Sequence, residues 1–264
     1  MSSEDGFAVL RGVSSLEIRL TRPTQLNALT AETLNDLADL LHETASDPAI
    51  RVVTLTGEGR AFCSGADLGE PDNEDGSVRP RHWVATLNAA NRVIQALQAT
   101  PQPVIAVVNG PAVGFGCSLA LASDLIIASE KAYFLLAFTD VALMPDGGAS
   151  LLVAASIGRS RALHLALVPE RVPARAALEW GLIYKVVPGS DLDSAATELV
   201  DRLANGAPRA LAKTKSAING LSLSLLDQAL ALETAGQSEL LADSDFQEAI
   251  SAFRDKRPPS FMSR

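Results

Sequence analysis

The groups in this 264-residue chain with chemical potential gather in two glycine-punctuated segments and one acidic turn. The segments are RVVTLTGEGRAFCSGADL (51–68) and PVIAVVNGPAVGFGCSLAL (103–121), and the turn is Asp146-Gly147-Gly148. Each segment reads as a buried strand, a glycine, a short loop, an elbow of small residues and a helix start. The first N–H groups of a helix have no intrahelical acceptor and lie at the positive end of its dipole. Two such elbows side by side make a two-donor site for an oxygen that acquires negative charge, and the donors the spacing selects are the backbone N–H groups of Ala66 and Phe115. Losing one donor of such a site typically costs ~3 to 4 kcal/mol of transition-state stabilisation. The same pattern also fits two tight strand-to-helix turns with no chemical role.

Other reactive side chains are few. Cys63 and Cys117 lack paired spacing and stand with only His42, His82 and His164, which rules out a disulfide framework and argues against a zinc site. The expected state is two buried, reduced thiols. A formal net charge of -9 argues against a nucleic-acid surface, because neutralising phosphates needs a basic stripe. An anionic small ligand would need local positive charge or backbone donors. The N-terminal MSSEDG lacks a signal-peptide pattern, no apolar run reaches membrane-spanning length, and the terminal MSR is not a peroxisomal tripeptide. A cytoplasmic location is expected.

The elements that must position these groups alternate between strand and helix. Phe7 to Arg11 and Ser15 to Leu20 read as an antiparallel pair, and Thr30 caps a helix to about Thr44. Arg51 to Thr56, Val104 to Val108 and Leu125 to Ala128 read as buried strands. Ala61 to Leu68 reads as a tight bend entering a helix, and residues 69–81 as a mobile exposed loop. A helix from about His82 to Gln98 puts Trp83, Leu87, Ala90, Ile94 and Leu97 on one face, expected to be core. Ala149 to Leu167 reads as helix broken near Gly158, Pro173 to Trp180 as helix, and Gly181 to Val187 as strand. Helices over 195–204, 207–218 and 223–241 follow, and Asp245 with Glu248 is expected to form a capping box for a last helix. The pattern divides into an α/β core, residues 1–190, and a helical region, residues 191–264, packing on that core or on a neighbouring subunit.

AFCSGADL together with NGPAVGFGCSLALASDLIIAS, preceded by LTRPTQLNAL and followed by LMPDGG, resembles the crotonase (enoyl-CoA hydratase/isomerase) superfamily. The resemblance continues through GLIYKVV to FRDKRPPSF, so it covers nearly the whole chain. It implies an α/β fold built as a spiral of ββα units with a C-terminal helical trimerisation region, in homotrimers or dimers of trimers. It implies an acyl-CoA thioester substrate, with coenzyme A as part of the substrate and no permanently bound cofactor. The thioester oxygen would sit between the N–H groups of Ala66 and Phe115, beside Gly114. The backbone of Ser64, Gly65, Asp67 and Leu68 would contact the adenine and pantetheine, and Lys256 would approach the CoA phosphates.

The resemblance also locates departures. Hydratases of this superfamily carry one glutamate where this chain has Ser118 and another where it has Phe138. Hydration of a conjugated double bond needs a base for water and an acid for the α-carbon, so ordinary hydratase chemistry is disfavoured. Asp146 stands where several enoyl-CoA isomerases and a benzoyl-CoA dehalogenase carry their acidic catalytic residue. Its implied role is to move a proton from C2 of a 3-enoyl thioester to C4, with Phe138, Leu143 and Met144 raising its pKa by desolvation. Three alternatives stand beside this one: a hydratase-like or other crotonase reaction, a non-catalytic acyl-CoA-binding protein, and an Asp146 that only N-caps the Ala149 helix. A fourth is hydrolytic, with Ser118 as nucleophile and His82 or His164 as base; against it, His164 in RALHLAL is expected to be packed and hydrogen-bonded. Asp140 is the runner-up carboxylate, read as a loop residue, and Asp67 and Asp124 are read as bonding local backbone.

Overall fold

A computed structural model describes residues 6–67 and 80–262. Strands β1 (Phe7–Arg11) and β2 (Ser15–Leu20) pair antiparallel, as their alternating pattern predicts. Helix α1 (Ala31–Ala45) follows, its first turn capped by the Thr30 hydroxyl, which accepts from the Thr33 N–H at 3.2 Å. Strand β3 (Val52–Gly57) is buried throughout, and helix α2 (Pro80–Ala99) packs along α1.

The chain then alternates between two sheets. Strand β4 (Val104–Val108) lies in the large sheet, β5 (Ala112–Val113) in a small one, and helix α3 (Phe115–Leu121) closes the turn. Strand β6 (Leu125–Ser129) returns to the large sheet and β7 (Tyr133–Leu135) to the small one, followed by helices α4 (Ala149–Ile157) and α5 (Arg159–Leu167), which meet at Gly158. Strand β8 (Val172–Pro173), helix α6 (Ala174–Trp180) and strand β9 (Lys185–Val187) complete the spiral. The large sheet has the order β1-β2-β3-β4-β6-β9, parallel from β2 onward, and the small sheet β5-β7-β8. Repeated strand, strand, helix steps are the ββα turns that the sequence resemblance implies. The short strands β5, β7 and β8 were absent from the sequence reading, being too brief to show periodicity.

Leu16, Ile18, Leu34, Leu37, Leu55, Phe62, Ile94 and Leu97 interlock in the core between the sheet and α1–α2. On the other face of the sheet, Val52, Ile105 and Ile127 meet helix α7 (Leu192–Ala204). Helix α8 (Pro208–Ser222) is pinned by Lys215, whose Nζ lies 2.8 Å from Asp124 Oδ2 and donates to the Leu97 and Gln102 carbonyls. Burial lowers the Lys215 pKa and the Asp124 charge opposes that shift. Asp124 also accepts the Val104 N–H at 2.7 Å, so this one carboxylate ties α8 to the start of β4.

Helix α9 (Leu226–Leu240) packs on α2 and α4, and α10 (Ser244–Asp255) closes the chain's helical region over Trp83. The capping box assigned to Asp245 and Glu248 does not form. Asp243 caps α10 by accepting the Asp245 N–H at 2.9 Å, while Asp245 accepts from Met262 N and Glu248 pairs with Arg257. Those two carboxylates bind the tail that follows the helix, and Arg257 with the Ser260 N–H holds Glu248 down to a pKa of about 2.

Candidate active site

The two elbows lie against each other. Cys63 and Ala112 form a parallel bridge, Val113 N–H donates to Cys63 O at 2.9 Å, and Phe62 N–H donates to Pro111 O at 3.0 Å. Close approach is possible because of two glycines. A Cβ on Gly116 would stand 2.3 Å from the Cys63 carbonyl oxygen, and Gly65, at φ +98°, would carry a Cβ 3.2 Å from the Phe115 nitrogen. Phe115 is the first residue of α3, so its N–H has no intrahelical acceptor. Ala66 is bridged to Leu29 through its neighbours, Gly65 O and Asp67 N, and neither the Ala66 nor the Phe115 N–H donates to backbone among the described residues.

Both elbows form one wall of a cavity of about 660 Å³. Ser64, Gly65, Ala66, Asp67, Gly114, Phe115, Phe138 and Asp146 all line it, so the structure brings together most of the residues singled out from the sequence. Trp83, Leu87 and Ala90 of α2, Leu143, and Leu241 and Ile250 beside and on α10 supply apolar surface. All five residues of the α2 stripe are buried in the core, as their spacing predicts, and Trp83, Leu87 and Ala90 also line the cavity.

Two sequence-selected residues, Ser118 and Lys256, do not line the cavity. Leu68 and the 69–79 part of the expected loop lie outside the described residues. Ser118 is fully buried behind the wall, and its hydroxyl donates to the Asp146 carbonyl at 2.8 Å, which makes it a support for the acidic turn. Lys256 is exposed just past α10, in a left-handed conformation at φ 53° that turns the chain away; Arg254, on the cavity side, and Arg60 are the cations that line the wall.

His164 is not packed as expected. Its ring is 51% exposed on α5, 3.8 Å from Glu170, and nothing connects it to the buried Ser118. Both thiols are buried, which pushes them up to about 12. Asp140 is exposed, and Asp67 pairs with Arg22 at 2.7 Å. Among the described residues, no cluster of His, Cys, Asp or Glu is placed to hold a metal ion, and no helix is long and apolar enough to cross a membrane.

Asp146 has the most altered chemistry of the lining side chains. Its Oδ2 accepts the Gln237 Nε2–H at 3.0 Å, and its Oδ1 is shut off from bulk water with no hydrogen-bond partner. Burial pushes its pKa up to about 7; the Gln237 hydrogen bond opposes that shift, and the nearby Glu233 charge adds to it. Asp146 does not cap α4. The N-cap is Gly148; the Asp146 backbone carbonyl accepts the Ala149 N–H at 3.2 Å, and the Glu233 carboxylate accepts from Gly148 N at 2.7 Å and Ser150 N at 2.9 Å. Burial raises the Glu233 pKa and those N–H bonds oppose it.

Glu233 and Gln237 were not selected from the sequence. The available signal was two polar residues four apart in LDQALALETAGQSELL, on the same helical face as the apolar Leu226 and Leu230. Both polar residues are almost wholly buried.

A carboxyl whose pKa burial raises and two N–H groups that donate to no backbone acceptor among the described residues thus line one cavity. Comparison with known proteins assigns the family. The model of the enoyl-CoA hydratase/isomerase family matches residues 12–264, and the chain belongs to that family, within the crotonase superfamily. A protein from Rhodobacter capsulatus named a probable enoyl-CoA hydratase is 41% identical over 249 residues, 94% of each chain. The 1,2-epoxyphenylacetyl-CoA isomerase of Escherichia coli is 37% identical over 256 residues, 97% of each chain. The crystal structure of an enoyl-CoA hydratase from Mycobacterium avium subsp. paratuberculosis superposes with a TM-score of 0.90 at 43% identity, over 98% of this chain and 99% of that one.

Proposed function

We propose that this protein isomerises a 3-enoyl-CoA to the conjugated 2-enoyl-CoA, with Asp146 as the acid/base. Asp146 takes the proton from C2, the electron pair passes into a dienolate whose oxygen is held by the N–H groups of Ala66 and Phe115, and the proton returns to C4. The thioester's coenzyme A runs past Ser64 to Asp67, with Arg60 and Arg254 near its anionic groups. Assembly into homotrimers, or dimers of these, belongs to the same reading and is supported by apolar side chains on α8 and α9 such as Leu221, 84% exposed, and Leu232, 64% exposed.

The observation that carries the reading is that Asp146 is a half-buried carboxyl on the cavity wall with its pKa pushed up to about 7, while both hydratase glutamate positions hold Ser118 and Phe138. A carboxyl near pH 7 is matched to accepting and returning one proton. Names of similar proteins include both hydratases and an isomerase, so hydration is the reading to test against. Purified protein is given a 3-enoyl-CoA and, separately, crotonyl-CoA, and products are followed by ultraviolet absorbance and mass spectrometry. Conjugation of the first with no water added to the second is expected. Hydration of crotonyl-CoA without isomerisation would overturn the proposal.

A further inference from the structure

The acidic turn is held from one side by a single helix. Gln237 Oε1 accepts the Met144 N–H at 3.1 Å and its Nε2 donates to Asp146 Oδ2 at 3.0 Å. One turn earlier on α9, the Glu233 carboxylate accepts the N–H groups of Gly148 and Ser150. Four hydrogen bonds from two buried side chains thus span the segment from Met144 to Ser150. The Ser118 hydroxyl fastens the same segment from α3 through the Asp146 carbonyl.

We propose that Glu233 and Gln237 are positioning residues that hold the Asp146 turn in place, with Gln237 engaging Oδ2. The inference rests on the reading of Asp146 as the acid/base and extends it to the C-terminal helical region, which thereby supplies part of the active site. Gln237 works through geometry because an amide can donate to a carboxylate and accept from a backbone N–H at once. Both Glu233 oxygens accept N–H bonds, which favour its ionised form against the upward push of burial.

The two residues act on Asp146 with opposite signs. The Gln237 hydrogen bond stabilises the Asp146 carboxylate, whereas the Glu233 charge disfavours it. From α3 the groups facing Asp146 are the Ser118 hydroxyl and Phe115, both uncharged. The other charged or titratable groups among the described residues on the cavity wall are Arg60, Asp67, Tyr133 and Arg254, and Asp67 is paired with Arg22.

The test uses the full-length protein and three variants, Gln237→Met, Glu233→Gln and Asp146→Asn. Each is assayed for 3-enoyl-CoA isomerisation as kcat and KM against pH. In parallel, the Asp146 carboxyl is titrated directly by NMR of carbon-labelled aspartate, its signal assigned by its loss in Asp146→Asn. Gln237→Met is expected to raise the Asp146 pKa and Glu233→Gln to lower it, each by about half a pH unit or more. Displacement of the turn is expected to lower kcat by about ten- to a hundredfold in both, with KM little changed.

A merely structural role would lower thermal stability without moving the titration, or would move both variants the same way. Either result overturns the inference, as does unchanged kcat in both variants. If Glu233→Gln fails to fold, Gln237→Met decides alone: its Asp146 titration must move upward. Full turnover by Asp146→Asn would bring down the acid/base reading itself, and the inference with it; loss of turnover in Asp146→Asn with unmoved α9 variants would bring down the inference alone.

Discussion

Replacing Asp146 by Asn should make the protein more stable at pH 8 and leave it nearly unchanged at pH 5. A carboxyl with a pKa of about 7 in the folded protein and 3.8 as its ordinary value binds its proton more tightly when folded. Stability from this group is therefore fully present below pH 3.8 and is lost as pH rises toward 7. At pH 8 the ionised, half-buried Asp146 costs the folded state at most about 4 kcal/mol. At pH 5 the cost is only about 2 kcal/mol by the same relation. Asparagine removes the ionisation and can still accept from Gln237, but it puts an N–H group where Oδ1 had no partner, a cost of about 1 to 3 kcal/mol. The net gain is about 1 to 3 kcal/mol at pH 8 and about zero at pH 5. For a chain of this size that is a rise in Tm of about 2 to 5 °C at pH 8, with little change at pH 5. Differential scanning calorimetry of both proteins at pH 5 and pH 8, at matched protein concentration, reads it. A Tm change that is the same at both pH values, or a fall at pH 8, would refute the account of Asp146 as a desolvated carboxylate.

Three further outcomes follow from the same geometry. The kcat/KM of the wild-type protein for a 3-enoyl-CoA should rise with pH through an acid limb near 7, since the base must be ionised; a limb near pH 4 would mean an unperturbed carboxylate. Gly116→Ala should lower stability by about 3 kcal/mol or more, because the new Cβ meets backbone that cannot yield; urea denaturation monitored by circular dichroism measures this, and a variant of wild-type stability would contradict the close approach of the elbows. Lys215→Met should cost about 3 to 5 kcal/mol by leaving the Asp124 carboxylate without its cation, with the same denaturation experiment as the check.

Much of the framework was legible because long elements carry a period. β1, β2 and α1 alternate or repeat over five to fifteen residues, so burial of one face determines their register. Elements of two or three residues, such as β5, β7 and β8, carry no period, and only the sheet they join reveals them. The elbows were legible because their close backbone approach, as at Gly116 against Cys63, demands small residues in a fixed order. Glu233 and Gln237 escaped notice because their partners lie more than eighty residues away: the separations are 85 for Glu233 to Gly148 and 91 for Gln237 to Asp146. Helical periodicity says which face a polar residue occupies and nothing about what waits there. The failed capping box at Asp245 and Glu248 shows competition, with Asp243 capping the helix and the tail claiming the other carboxylates.

The most direct test of the central claim follows one atom. A 3-enoyl-CoA deuterated at C2 is converted by the wild-type protein and by Asp146→Asn, and the position of deuterium in the product is read by NMR, with binding of an unreactive CoA thioester measured alongside. The account predicts that the wild-type protein forms the 2-enoyl product with deuterium carried to C4 or exchanged with solvent, and that Asp146→Asn binds the thioester yet forms no product. Conversion by Asp146→Asn at the wild-type rate would contradict it.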